Sequence, residues 1–188
     1  MTTDFSFETL SKQGLLKGFT AAAPFELAEK WTLLAHALDN TDWSAASYIE
    51  QGTVDTLQGF CVLFNTIFYD VDPENGTVVE GTFKADRIFR LGKAAADGGM
   101  ADDRVWTVCV PKEMIEEYWK KLLYGAVGGT IDPTRLCRLE ISPKPNGNFH
   151  VRISTHRGGC PELMSFTDAA KHPGIISVET FTVWKEST

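Results

Sequence analysis

Two Asn-Gly dipeptides constrain the fold of this chain more than any other feature of its sequence. Each lies in a polar stretch between two runs rich in aromatic and β-branched residues, and both residues of Asn-Gly accept the positive φ of a tight turn. Strands joined in this way are antiparallel, so the pattern predicts a mainly antiparallel sheet. The predicted hairpins pair Phe60–Val71 with Thr77–Leu91, and Leu136–Ser142 with Phe149–Thr155.

In the second hairpin, side-chain alternation predicts which residues share a face. A three-residue turn on Asn146-Gly147-Asn148 sets Ile141 opposite Ile153 and Glu140 opposite Ser154. The apolar residues then share one face, whereas a two-residue turn would mix the two faces. The other face is polar and carries Arg138, Glu140, His150, Arg152, Ser154 and His156.

Helical periodicity dominates the first fifty residues. In Pro24–Asn40, apolar residues recur at i, i+4, i+7 and i+11, which places them on one stripe of a helix. Shorter helices are predicted at Phe7–Lys17 and Asp42–Gln51. A mid-chain helix is predicted at Lys112–Tyr124, with Gly125 as its C-terminal cap.

The remaining segments complete an α+β fold. Arg104–Val110 and Ile175–Trp184 are predicted strands, and Met164–His172 is a possible short helix. We therefore expect a curved, mainly antiparallel sheet of about six strands, packed against N-terminal helices and the mid-chain helix as a cup or partly closed barrel. Between the strands, Gly92–Asp103 is either a mobile loop or a plain surface connection.

Length and charge restrict the possible functions. A chain of 188 residues is expected to form a single domain, 1–188, with a helical part over 1–51 and a sheet-forming part over 53–184. The net charge of −7 argues against a surface built to bind nucleic acid or anionic lipid, although local basic patches remain compatible with it. The absence of a long apolar run predicts a protein outside the membrane, and an acidic N-terminus without a secretory pattern favours the cytoplasm.

One short loop combines several reactive groups. The string His156-Arg157-Gly158-Gly159-Cys160 offers a base, a cation, two flexible backbone positions and a thiol. A thiolate at Cys160 beside His156 would be nucleophilic near neutral pH. The alternative is an ordinary surface turn. Independently of this choice, all four cysteines of the chain are expected to be reduced.

Two further features suggest polar contacts with a ligand. The polar face of the second hairpin would line the cup if the sheet curls inward, although a solvated sheet face shows the same alternation. Arg87 alternates in phase with Phe89 and Leu91, so its guanidinium needs an internal partner, a ligand anion, or a route to water. The candidate ligand-binding residues are therefore Arg87, Glu140, His150, Arg152, His156 and Cys160.

No motif indicates a particular reaction. The four histidines and four cysteines lack metal-ligand spacing, and no Gly-rich phosphate loop or Gly-x-Ser-x-Gly elbow is present, so we expect neither a metal nor a cofactor. Two functions remain. In the first, the sheet and its helices enclose a pocket that binds or converts a small, partly apolar or acidic ligand. In the second, the protein acts through its surface as a subunit of a homo-oligomer or of a larger, for example viral, assembly.

Overall fold

The computed structural model describes residues 5, 7–12, 23–72, 74, 77–93, 104–156, 160–167 and 177–182. Its helices are α1 (Phe7–Lys12), α2 (Leu57–Phe68), α3 (Lys112–Val127) and α4 (Met164–Thr167), with short 3-10 turns at Ala45–Ser47 and Pro161–Leu163. Its strands are β1 (Glu26–His36), β2 (Ile49–Thr56), β3 (Ile88–Lys93), β4 (Arg104–Val110), β5 (Leu136–Pro143), β6 (Phe149–Thr155) and β7 (Ser177–Thr182).

The strands form a single antiparallel sheet in the order β2-β1-β3-β5-β6-β4-β7. The sheet is curved and does not close into a barrel, and β2 and β7 are its edges. This confirms the predicted α+β class, and the described residues form seven strands where about six were expected. No helix in the part of the chain that the structure describes is long and apolar enough to span a membrane.

The hydrophobic core fills the space between one face of the sheet and the helices α2 and α3. Phe68 of α2 packs on Phe89 of β3, with ring centroids 4.7 Å apart, and on Trp119 of α3, at 6.3 Å. Residues of the central strands that point to this side, such as Leu139 and Ile153, are fully buried. The other face of the sheet, which we call the open face, carries the alternate residues.

The predicted helix at Pro24–Asn40 is wrong, because β1 occupies this segment. From Trp31 onward the burial alternates with a period of two: Trp31, Leu33 and Ala35 point into the core. Hydrogen bonding to β2 on one side and β3 on the other determines the conformation here, whatever the helical spacing of the leucines.

The other helices predicted in the first fifty residues also need correction. Asp42–Gln51 forms a 3-10 turn and the start of β2 in place of a helix. Of the helix predicted at Phe7–Lys17, the part at Phe7–Lys12 is confirmed, and 13–17 lie outside the described residues. The described part of 1–51 therefore contains the strand β1 and the start of β2 as well as the short helix α1, and is not a helical segment.

The first predicted hairpin is also wrong, because Leu57–Phe68 is the helix α2. Phe60, Leu63, Phe64 and Phe68 are all buried, and their i, i+3, i+4 and i+8 spacing matches one helix face. Its first turn is capped by Thr56, whose Oγ1 accepts a hydrogen bond from the Gly59 amide at 3.2 Å. The chain still reverses after α2, through an isolated bridge between Val71 and Val78.

Several later elements are confirmed. Strand β4 has the predicted bounds, and α3 begins at Lys112 as expected. The helix continues past Gly125, the expected cap, to Val127, and its C-cap is Gly128, whose amide donates to the Tyr124 carbonyl at 2.8 Å. Gly125 instead packs closely against Ile131. A Cβ at position 125 would lie 3.1 Å from Ile131 Cδ1.

The second hairpin has the predicted strands but a register shifted by two residues. Ile141 lies opposite Val151 rather than Ile153, and residues 144–148 form the turn, with Gly147 at φ 83°. A shift of two residues leaves every side chain on its predicted face. The pairing of Glu140 changes, however, from Ser154 to Arg152.

The end of the chain follows the prediction where it is described. The helix expected at Met164–His172 is present as α4, and β7 lies within the predicted strand Ile175–Trp184. Residues 168–176 and 183–184 lie outside the described residues, as does 94–103, which contains most of the proposed mobile loop.

An N-terminal segment packs against α2 and β2. Phe5 and Leu10 are both buried, and Phe5 lies over Gly52 of β2 and Gly59 of α2. A Cβ at position 52 would lie 2.6 Å from the Phe5 ring, and one at position 59 would lie 2.5 Å from the Phe5 carbonyl oxygen. These two glycines therefore form a notch in which the Phe5 ring lies over Gly52 and the Phe5 carbonyl oxygen lies against Gly59.

Candidate functional site

A cavity of about 310 Å³ lies on the open face, over the middle of the sheet. The register brings its residues together, because Arg90 of β3 lies opposite Glu140 of β5, which lies opposite Arg152 of β6. We call it the arginine cavity. Its lining consists of Arg90, Val105, Thr107, Arg138, Glu140, Arg152 and Ser154.

Glu140 is the buried centre of the arginine cavity, with 6% of its side chain exposed. Its Oε2 accepts hydrogen bonds from Arg90 Nε at 3.1 Å and Nη2 at 2.8 Å. Its Oε1 accepts one from Arg152 Nη1 at 3.2 Å. Burying a carboxylate is costly unless it is paired and hydrogen-bonded, and two guanidinium groups meet that requirement here.

The two arginines that hold Glu140 differ in exposure. The Arg90 side chain is 22% exposed and has a second partner, the hydroxyl of Tyr48, which accepts from Nη2 at 2.6 Å. The Arg152 side chain is 51% exposed and bonds Glu140 through Nη1. Arg152 is thus the guanidinium of this pair that presents more of its surface to a ligand.

The lining of the arginine cavity carries an excess of positive charge. Three guanidinium groups face one carboxylate among the lining residues, in a chain whose net charge is −7. The hydroxyls of Thr107 and Ser154 add neutral hydrogen-bonding groups. Such a cavity favours an anionic ligand, above all a phosphate or carboxylate that takes bidentate hydrogen bonds from arginine.

A stack of aromatic rings extends from the arginine cavity to the surface, and we call it the aromatic shelf. The Arg90 Cζ lies over the Tyr48 ring, 3.9 Å from its centroid. The Tyr48 ring contacts the His36 ring at 4.7 Å, and His36 stacks on Trp43 at 4.6 Å with an interplanar angle of 12°. His36 is buried, whereas Trp43 is 60% exposed.

The loop between β1 and β2 carries Trp43 and is held by local hydrogen bonds. The Asp42 carbonyl accepts from His36 Nε2 at 2.7 Å, so this ring nitrogen is the protonated one. The Asp42 carboxylate accepts from the Ser44 amide at 2.8 Å and from its hydroxyl at 3.0 Å, which lowers the pKa of Asp42. The exposed Trp43 is therefore presented by an ordered turn.

Of the predicted site residues, Glu140 and Arg152 meet in the arginine cavity. His150 lies on the same face, two residues before Arg152 on β6, opposite Ser142 and Cys109. His156 lies just beyond β6, and its amide donates to the Arg135 carbonyl at 2.9 Å. Arg138, on the same face of the hairpin, lies opposite Ser154.

Arg87 does not lie on an apolar face. It precedes β3 in an irregular segment, its side chain is 50% exposed, and it bonds the neighbouring Asp86 at 3.2 Å. The predicted alternation fails because β3 begins only at Ile88. Side chains alternate between two faces only along an extended strand, so the spacing of Arg87 from Phe89 and Leu91 does not place them on the same face.

Cys160 is not an activated thiol. It is buried, and its Sγ donates a hydrogen bond to Glu162 Oε2 at 2.8 Å. Burial, reinforced by this carboxylate, raises the pKa of Cys160 to about 11. The thiol is therefore protonated at neutral pH, contrary to the expected thiolate beside His156, and residues 157–159 of that loop lie outside the described residues.

We expect Cys160 to resist alkylation in the native protein. A protonated, buried thiol reacts slowly with iodoacetamide at pH 7.5, because the thiolate is the nucleophile. Peptide mapping by mass spectrometry should detect the label on Cys160 only after denaturation. Rapid labelling without denaturant would show that the thiol is accessible and activated.

The sequence prediction missed Arg90, Tyr48, His36 and Trp43. A signal was present for Arg90, which stands between the buried residues Phe89 and Leu91 and so faces away from the core. The other three depend on β1 being a strand, because only then does the following loop lie beside β3. Among the described residues, core side chains fill the side beneath the helices, where a pocket was expected, and the arginine cavity lies on the opposite face.

No group of three or more His, Cys, Asp or Glu side chains within the described ranges is arranged to hold a metal ion.

Comparison with known proteins identifies relatives of the fold but not of the sequence. No protein-family model and no curated protein matches the chain. Solved structures do match it. The complex of Ascaris suum eIF4E-3 with an m2,2,7G cap has a TM-score of 0.60 at 15% identity, over 88% of this chain and 95% of that one. The chain shares this fold.

Two further eIF4E-3 complexes have a similar fold. Ascaris suum eIF4E-3 with an m7G cap matches at a TM-score of 0.52 and 17% identity, over 71% of this chain and 74% of that one. C. elegans eIF4E-3 with the 4E-binding protein Mextli matches at 0.55 and 18% identity, over 71% of this chain and 76% of that one. At these identities the similarity establishes the architecture alone.

Proposed function

We propose that this protein binds a cap-type nucleotide, an N7-methylated guanine with attached phosphates, on the open face of its sheet. The observation that carries the proposal is the joining of the arginine cavity and the aromatic shelf through contacts of under 5 Å. The likeness in fold to eIF4E-3 complexes with m7G and m2,2,7G caps supports this choice of ligand.

Trp43 is suited to stack against the base. One face of its ring lies on His36, while 60% of the residue is exposed. Methylation at N7 places a positive charge on guanine, and a cationic ring is attracted to the negative face of an indole. Trp43 is therefore expected to favour methylated over unmethylated guanine.

The arginine cavity is suited to the phosphates. Arg138 and Arg152 both line it, and guanidinium groups bind phosphate oxygens with charge-assisted hydrogen bonds. The acidic composition of the whole chain does not oppose this role. A single nucleotide needs only a local cluster of cations, whereas a long polyanion needs a broadly basic surface.

Binding of m7GTP and GTP, measured by calorimetry, tests the proposal. We expect the native protein to bind m7GTP more tightly than GTP, and Trp43→Ala to weaken m7GTP binding by about tenfold through lost stacking. Phe25→Ala is the matched control, because Phe25 is a similarly exposed aromatic residue that precedes β1 at its opposite end.

Two results would contradict the proposed function. One is equal affinity of the native protein for m7GTP and GTP. The other is an unchanged affinity for m7GTP in the Trp43→Ala variant. The alternative drawn from the sequence, a subunit of a homo-oligomer or larger assembly, stays a prediction.

A further inference from the structure

We propose that Glu140 is a positioning residue that fixes the arginine cavity and the aromatic shelf relative to each other. The inference rests on the proposed function, because it assigns to Glu140 the geometry by which one nucleotide contacts both parts. Glu140 itself is too buried to be the main ligand contact, with 6% of its side chain exposed.

The two carboxylate oxygens of Glu140 bond to residues on two different strands. Oε2 bonds Arg90 of β3 and Oε1 bonds Arg152 of β6, so each oxygen orients a different guanidinium. Glu140 lies between them on β5 and directly opposite both in the sheet register. Its side chain therefore sets the separation of the two cations.

Arg90 connects Glu140 to Tyr48, which lies in the loop between β1 and β2. The Nη2 that bonds Glu140 at 2.8 Å also bonds the Tyr48 hydroxyl at 2.6 Å. The Arg90 Cζ lies over the Tyr48 ring, 3.9 Å from its centroid. Two kinds of contact thus tie Arg90 to Tyr48. Without Glu140, the guanidinium loses the carboxylate that holds it in this orientation.

Tyr48 connects Arg90, through His36, to the exposed ring of Trp43. Tyr48 contacts His36, and His36 stacks on Trp43 while donating through Nε2 to the Asp42 carbonyl of the same loop. A change in the position of Tyr48 is therefore transmitted to the surface on which the base would stack. Packed aromatic contacts of this kind have few alternative arrangements.

A simpler role for Glu140 makes a different prediction. If the carboxylate only neutralises charge, Glu140→Gln should strengthen the binding of every anion and leave base selectivity and Trp43 unchanged. If it positions the site, the same variant should lose base selectivity without losing affinity for phosphates. The two roles therefore separate on selectivity, not on affinity.

The experiment compares Glu140→Gln and Tyr48→Phe with the native protein. Tyr48→Phe keeps the ring and removes the hydroxyl that Arg90 bonds. Glu50→Gln, at an exposed glutamate of β2, is the matched control. The ligands are m7GTP, GTP and inorganic tripolyphosphate, and acrylamide quenching of Trp43 fluorescence is obtained by subtracting spectra of the same proteins carrying Trp43→Phe.

We expect the preference for m7GTP over GTP to fall by about fivefold in both variants, a typical coupling between residues in one contact network. Affinity for tripolyphosphate should be unchanged or higher in Glu140→Gln, because a negative charge is removed. Quenching of Trp43 should increase in both variants and stay constant in the control. A general loss of folding would instead lower every affinity together.

The outcomes separate the two proposals. A native protein without preference for m7GTP overturns the proposed function and, with it, the positioning role. A selective native protein whose two variants keep both the preference and the native Trp43 quenching overturns the positioning role alone. If Glu140→Gln does not fold, Tyr48→Phe decides by the same two measurements.

Discussion

Arg152→Ala is expected to weaken binding of m7GTP by about tenfold, and the double variant with Arg138→Ala by about 100-fold. Each substitution removes a guanidinium from the lining of the arginine cavity, and a hydrogen bond to a charged group contributes about 1.5–3 kcal/mol. Titration calorimetry at low ionic strength is the measurement, because salt screens exposed charges.

Arg87→Ala is a closely matched control for Arg152→Ala. The two arginine side chains are 50% and 51% exposed, and each bonds a carboxylate at 3.2 Å. They differ in that Arg87 lies outside the arginine cavity. Equal losses of affinity in the two variants would show that net charge, and not the cavity, determines binding.

Trp119→Ala is expected to destabilise the protein by about 3–5 kcal/mol, the usual cost of deleting a large buried aromatic side chain. Trp119 is fully buried in α3 and contacts Phe68 of α2, so its loss leaves a cavity where both helices meet the sheet. Denaturant unfolding followed by circular dichroism measures the change in the free energy of unfolding.

Trp119→Phe is expected to cost less than Trp119→Ala. The indole Nε1 has no hydrogen-bond partner among the residues that the structure describes, so removing it leaves no acceptor unsatisfied. The smaller ring still fills much of the site. A loss of under 1 kcal/mol for Trp119→Ala would mean that α3 contributes less to the core than its burial indicates.

The helices and strands that could be predicted are those whose apolar pattern fits only one type of secondary structure. Strand β4 alternates between faces and ends at Pro111, and α3 combines an apolar stripe with i, i+4 ion pairs such as Glu117–Lys121. In the second hairpin, side-chain alternation gave the correct faces although the turn length was wrong. An error of two residues cannot exchange the faces of a strand.

The segments whose secondary structure was predicted wrongly are those whose apolar residues fit both the helical and the strand period. The run around Phe60–Phe68 is apolar at both helical and strand spacing. In β1, Trp31 and Leu34 follow the helical spacing, while Trp31, Leu33 and Ala35 follow the strand spacing and are the buried set. In such segments, the strands available for pairing determine whether a helix or a strand forms. Those of β1 are β2 and β3, and β3 lies more than fifty residues away in the sequence.

The same limit applies to the site. Glu140 and Arg152 could be predicted because they belong to one hairpin, in which alternation places them on the same face. Arg90 and the aromatic shelf come from β3 and the loop after β1. The contact between Arg90 and Glu140 joins residues fifty positions apart, and only the order of strands in the sheet brings them together.

The notch formed by Gly52 and Gly59 has a consequence for how this sequence can change. Phe5 occupies the space that a side chain at either glycine would need. A larger residue at position 52 therefore requires a smaller one at position 5, whereas one at position 59 would meet the Phe5 carbonyl oxygen and requires detachment of the segment that carries it. Related sequences should vary at positions 5 and 52 together and keep glycine at position 59 wherever this segment is docked.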